Sequence, residues 1–166
     1  MRALHVAYIS VGSNLGDKLE NCRCGIAALG AAAEVRITGR SRFYKTEPVD
    51  VTAQDWFING AVRIETALGP FELLDRLEAA QRAAGRPADG LRFGPRVLDL
   101  DLLMYDQLVL EDPRLSLPHP RMHRRRFVLQ PLCDIDPLLV HPILGKDIQR
   151  LLSELDEHGQ QVVAVR

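Results

Sequence analysis

The sequence predicts an α+β fold: an antiparallel sheet flanked by helices, in the ferredoxin-like β-α-β-β-α-β order, followed by C-terminal additions. Two observations carry this reading. Short β-branched, apolar stretches fall at 5–11, 34–45, 55–66 and 97–104, which is strand composition. Between them, at 17–30 and 70–85, apolar residues recur at helical spacing. A chain of 166 residues without repeat, linker or low-complexity segment is expected to be one domain, 1–166.

The first strand, HVAYISV, ends at Gly12, and Ser13, Asn14 and Asp17 supply helix-start chemistry. Leu19, Cys22, Ile26, Ala27 and Leu29 then mark one helical face up to Gly30. Residues 34–45 read as a second strand, 46–54 as a loop and 55–66 as a third strand. Gly69-Pro70 opens the second helix, since proline suits the first helical position, and Gly85 ends it. Residues 85–96 hold three glycines and two prolines and read as a mobile loop. The strand 97–104, VLDLDLLM, is followed by a turn at Asp106 and a short strand at 107–110. A proline-punctuated loop over 111–120 leads to helices at 121–130 and 147–156, and QQVVAVR is expected to add an edge strand.

Composition excludes several classes. The net charge of -1 lacks the basic excess of a nucleic-acid binder. Arginine is nevertheless focused. Arg82, Arg86, Arg92 and Arg96 form one cluster, and Arg114, Arg121, Arg124, Arg125 and Arg126 another, as a small polyanionic ligand requires. Three cysteines without a repeated spacing suggest neither a disulfide framework nor a zinc site. No signal peptide or membrane-length apolar run is visible, so a cytoplasmic protein is expected.

Asp99-Leu100-Asp101 is the sharpest feature. Residues two apart on a strand share a face, so the carboxylates lie side by side while Leu98, Leu100 and Leu102 turn into a core. Alone, such a pair is more often a solvated strand face. Arg96 behind Gly94-Pro95, with Arg86 and Arg92 in the preceding loop, shifts the reading toward phosphoryl transfer, in which a metal bridges phosphates and guanidinium groups neutralise charge. Two other readings stay open: a nucleotidyltransferase, which uses the same pair, and a regulatory module that binds a ligand without turning it over.

The run Arg92-Phe93-Gly94-Pro95-Arg96-Val97-Leu98-Asp99-Leu100-Asp101-Leu102-Leu103 resembles the signature of the 6-hydroxymethyl-7,8-dihydropterin pyrophosphokinase family of folate biosynthesis. The resemblance begins at Ala7–Asp17. It continues through Phe43-Tyr44-Lys45-Thr46 and Phe57-Ile58-Asn59, and ends around Pro118–Met122 and Arg125–Leu132. It implies transfer of the diphosphate of ATP to the pterin hydroxymethyl group, with AMP leaving and two Mg²⁺ ions taking part. Asp99 and Asp101 match the metal ligands. Arg86 and Arg96 match catalytic loop arginines on the triphosphate, with Arg92 adjacent. His119 and Arg125 match the nucleotide site, with Arg114 and Ser116 nearby. Thr46, Asn59 and Phe127 match the pterin pocket, with Phe57 and Val49 beside them. It implies small-molecule substrates only, with a monomer expected and no nucleic acid or membrane.

The residue types fit independently. An asparagine offers a donor and an acceptor to an amide-like ring edge, and phenylalanines can stack on a flat ring. The chain departs from the family pattern at Glu47, where proline is common, at Gln81, where glutamate is common, at Ala88, where a basic residue is common, and at Arg124, where an acidic one is common.

Overall fold

The computed structural model describes residues 2–48, 55–85, 96–156 and 160–166. Its elements run β1 (His5–Ser13), α1 (Lys18–Gly30), β2 (Val35–Arg40), β3 (Tyr44–Thr46), β4 (Phe57–Thr66), α2 (Pro70–Ala83), β5 (Asp99–Tyr105), β6 (Leu110–Glu111), β7 (Ser116–Leu117), a 3₁₀ turn (Met122–Arg124), α3 (Arg126–Ile135), α4 (Ile148–Ser153) and β8 (Val162–Ala164). The main sheet runs β5-β1-β4-β3-β8, with β2 also on β4, and its pairings are antiparallel. The expected α+β plan is therefore present, with β1 and β4 at its centre.

Each face of the sheet carries its own core. On one, α1 and α2 cover Ala7, Ile9 and Val11 of β1, Ile64 of β4, and Leu98, Leu100 and Leu102 on and before β5. On the other, α3 and α4 cover Tyr8, Ala61, Leu103 and Met104 with Met122, Val128, Leu129, Leu132, Ile148 and Leu151. The alternation of β5 breaks at Leu103, where the register against β1 shifts between Tyr8 and Ile9. This bulge sends Leu103 and Met104 to the same face, while Asp99 and Asp101 keep the face opposite Leu100 and Leu102.

The stretch 34–45 is not one strand. It breaks at 41–43 into β2 and β3, both on the ten-residue β4. Ser41 explains how the break is tolerated: its N–H donates to Ala61 C=O at 3.0 Å and its Oγ accepts from Ala61 N–H at 2.8 Å. The side chain satisfies the ladder where a carbonyl no longer can. Likewise the expected helix at 121–130 is a 3₁₀ turn, an extended Arg125 (φ −112°, ψ 105°), and then α3, which runs on to Ile135. The short strand expected at 107–110 lies instead at β6 and forms a two-stranded hairpin with β7 inside the expected loop 111–120. The C-terminal edge strand forms as expected, on β3. Among the described residues no helix is long and apolar enough to cross a membrane.

Leu77 of α2 is fully buried against the sheet. Leu77→Ala is expected to lower unfolding free energy by about 2–5 kcal/mol, through lost apolar burial and the cavity left behind. Urea titration checks this. An unchanged midpoint would show that α2 is not part of the cooperative core.

Candidate active site

Three residues from three strands stand in one cross-strand row. Asp99 of β5 pairs with Gly12 of β1, and Gly12 pairs with Asn59 of β4. Asp101 lies opposite Ser10, which is buried. The two aspartates are partly buried, and they share with Asn59 the face that bears α3. Gly12 is the floor between them. A Cβ there would come within 2.5 Å of Asn59 Oδ1, so only glycine leaves the amide its place.

On the far side of the row, Asn59 Nδ2 donates to Thr46 Oγ1 at 2.6 Å, and both residues are buried. Phe57 lies two residues along β4, opposite Thr46. Tyr44 fastens β3 to α3: its hydroxyl donates to Asp134 Oδ2 at 2.7 Å, and Arg42 N–H donates to the same oxygen at 3.1 Å. Burial, and then Asp134, raise the Tyr44 pKa, so the phenol stays a donor. Phe127 sits in the first turn of α3 with the Arg125 guanidinium 5.4 Å from its ring centroid.

His119 lies near enough to Asp99 to feel its charge. Its N–H donates to Leu103 C=O at 2.8 Å, which ties it to β5. Its Nδ1 accepts from Arg121 N–H at 3.2 Å, so the neutral ring carries its proton on Nε2. Burial, reinforced by Arg125 and Arg121 and opposed by Asp99, lowers its pKa to about 4. At neutral pH it is an uncharged donor beside a carboxylate.

The turn after β1 does more than start a helix. Asp17, not Ser13 or Asn14, caps α1, accepting from Glu20 N–H. Asn14 is buried and joins two segments instead. Its N–H donates to Arg96 C=O at 2.9 Å, its Oδ1 accepts from Arg96 N–H at 2.7 Å, and its Nδ2 donates to Asp55 C=O at 3.3 Å. Arg96 is thereby rooted three residues before Asp99, and Asp55 two residues before Phe57. Gln81 acts similarly from α2: its Oε1 accepts from Leu100 N–H at 2.9 Å, holding the main chain between the two aspartates. Sequence reading missed the roles of Gly12 and Asn14. A glycine inside a strand was the available signal for a close approach; nothing local announced the bridges made by Asn14.

The remaining candidates divide. Ser116 is in β7. Arg114 is exposed and turned toward α2, where it pairs with Asp75 and, at 3.3 Å, with Glu78. Val49, Arg86 and Arg92 lie outside the described residues, as does Ala88. Of the departures, Glu47 uses the N–H that a proline lacks: it donates to Gln161 C=O at 3.2 Å. Arg124 is exposed, and its carbonyl accepts from Gln160 Nε2.

Residues 8–137 match the family described as 7,8-dihydro-6-hydroxymethylpterin-pyrophosphokinase (HPPK). The chain is 42% identical over 153 residues to the 2-amino-4-hydroxy-6-hydroxymethyldihydropteridine pyrophosphokinase of Methylorubrum extorquens, covering 92% of this chain and 95% of that one. It is 39% identical over 152 residues to the enzyme of the same name from Pseudomonas aeruginosa, covering 92% and 93%. The fold is also that of a crystal structure of Plasmodium falciparum HPPK-DHPS, with a TM-score of 0.73 at 15% identity. That alignment covers 93% of this chain and 45% of the other, so the chain spans under half of that protein.

Burial lowers the pKa of three histidines, His119, His123 and His141. Because the folded values lie below the unfolded value of 6.5, the unfolded chain binds protons first. The histidine contribution is complete above pH 6.5 and is lost as pH falls toward about 4, the folded value of His119. His141 Nδ1 accepts from Ile143 and Leu144 N–H, a role that the Oδ1 of an asparagine can copy without titrating. Thermal midpoints are expected to fall between pH 6.5 and 4 in the parent chain and to fall less in His141→Asn. Equal acid slopes would show that His141 carries none of the effect.

Proposed function

The chain belongs to the 7,8-dihydro-6-hydroxymethylpterin-pyrophosphokinase family, and we propose that its Asp99 and Asp101 are the ligands through which magnesium joins the protein to ATP. The reaction is the pyrophosphokinase step of folate biosynthesis: the diphosphate of ATP passes to the hydroxymethyl group of the dihydropterin. The observation that carries the residue assignments is the row Asp99–Gly12–Asn59, which puts the carboxylates and the amide on one face, two strands apart.

The donor set fits the metal. Asp99 and Asp101 offer hard oxygens, and among the described residues no group of three or more His, Cys, Asp or Glu side chains is arranged to hold an ion. Two carboxylates on one strand face suit Mg²⁺, which takes one or two carboxylates and completes its shell with water and substrate phosphates. When bound, two such ions would neutralise the triphosphate and acidify the attacking hydroxyl.

The protein's own share of the work is positioning and charge. Asn59, aimed by Thr46 and Gly12, reads the amide-like edge of the pterin, and Phe57 and Phe127 stack on its faces; Val49 is assigned to pterin binding from the family pattern alone. That orientation directs the pterin hydroxyl at the β-phosphorus in line with the departing AMP. Arg96, rooted by Asn14, and Arg86 meet the charge that develops on the transferred group. Arg92, Ser116 and Arg125 bind the nucleotide, and Arg114 joins them by exchanging its partners Asp75 and Glu78 for it. His119 donates Nε2–H to a phosphate oxygen without adding positive charge beside Asp99.

Incubation with ATP, Mg²⁺ and 6-hydroxymethyl-dihydropterin tests this reading, with Asp101→Ala in parallel. Mass detection is expected to show AMP and pterin diphosphate in equal amounts. The variant should fold and lose about a hundredfold or more in turnover. Pyrophosphate with a nucleotidylated pterin would make the protein a nucleotidyltransferase. Near-normal turnover by Asp101→Ala would overturn the metal assignment.

A further inference from the structure

Helix α3 begins without a cap of its own. Its N-cap residue is Arg125, whose side chain has no acceptor and makes no cap hydrogen bond. The first N–H groups of a helix need partners from outside it. One comes from the other end of the chain. Gln160 Oε1 accepts from Arg126 N–H at 2.8 Å, and Gln160 Nε2 donates to Arg124 C=O at 3.1 Å. The two bonds fall on either side of Arg125 and fix its main chain.

Gln160 is itself held in place. Gln161 N–H donates to Glu47 Oε1 at 2.7 Å, and Glu47 N–H donates to Gln161 C=O at 3.2 Å. Beyond it β8 pairs with β3, Val162 opposite Thr46, and Val165 N–H donates to Phe43 C=O at 2.9 Å. The tail thus spans from the root of Arg125 to the strand that carries Thr46.

We propose that Gln160 is a positioning residue for the reaction: by accepting from the first N–H of α3 and donating to the carbonyl before Arg125, it fixes the main chain from which Arg125 serves the triphosphate of the nucleotide. A serine or aspartate at 125 would accept from the N–H of residue 127 or 128 but bring no cation; the arginine brings the cation, and Gln160 holds the main chain on both sides of it. Arg125, freed from capping, extends over Phe127 and lies close enough to His119 to depress its pKa. A long arginine side chain loses much rotamer freedom on binding, and a fixed root reduces what remains to be ordered.

This inference rests on the reading of Arg125 as a nucleotide contact, and the experiment separates the two. Affinity for a non-hydrolysable ATP analogue with Mg²⁺, KM for each substrate, and the thermal midpoint are measured for Gln160→Ala, Arg125→Ala and the double variant. Gln160→Ala is expected to weaken nucleotide binding about three- to tenfold, the scale of a lost hydrogen bond. The pterin KM should stay within about twofold, and Gln160→Ala should add nothing in the Arg125→Ala background, because it acts through Arg125. If Arg125→Ala weakens the nucleotide and Gln160→Ala does not, the inference fails alone. A multiplying effect in the double variant, or equal losses for both substrates with a lower midpoint, also overturns it. If Arg125→Ala leaves nucleotide binding unchanged, the reading beneath it falls too.

Discussion

The site depends on β1 lying between β5 and β4. Antiparallel pairing on both edges fixes which residues stand opposite one another, and the pleat fixes which face they use. Asp99, Gly12 and Asn59 therefore form a row whose ends are about 10 Å apart, two strand spacings. A slip of one residue in either pairing would turn an acidic residue or the amide into the core beneath α1 and α2. The apolar alternation Ala7, Ile9, Val11 opposes such a slip, because moving it would expose those side chains. The packing that stabilises the domain is thus also what aims the chemistry.

Around that row the chain spends buried polar groups on position. Asn14 joins the approach to Asp99 with the approach to Phe57, and Gln81 pins the main chain between the aspartates. Asp134 binds Tyr44 and Arg42 and so fastens β3, with Thr46, to α3, with Phe127. A buried amide is costly unless its hydrogen bonds are made, so each such bridge disfavours displaced arrangements of the strands it joins. Electrostatics follow the same economy. His119 is kept neutral by burial and by Arg125 and Arg121, so it adds no positive charge near Asp99.

Much of this was legible in the sequence, for identifiable reasons. The paired aspartates, their orientation opposite Leu98, Leu100 and Leu102, the two helices under the sheet and the C-terminal edge strand all follow from local period and composition. Three kinds of feature were not legible. The split of 34–45 depends on Ser41 Oγ replacing a ladder acceptor, a choice that propensity does not encode. The start of α3 depends on Gln160, 34 residues away from Arg126. Gly12 shows its purpose only once Asn59 stands opposite it. Long-range partners decided each of these, and a pattern read within one segment does not contain them.

The central claim is that Gly12 is the floor that lets a carboxylate pair and a pterin-reading amide share one face. Gly12→Ala tests it most directly, with binding of the pterin and of an ATP analogue with Mg²⁺ measured separately by calorimetry. A methyl group at that position must displace Asn59 Oδ1, and with it the bond to Thr46. The account predicts a folded protein with pterin affinity lowered about tenfold or more, the scale of a buried hydrogen bond lost, and nucleotide affinity within about twofold. Unchanged pterin affinity in a folded Gly12→Ala protein would contradict it.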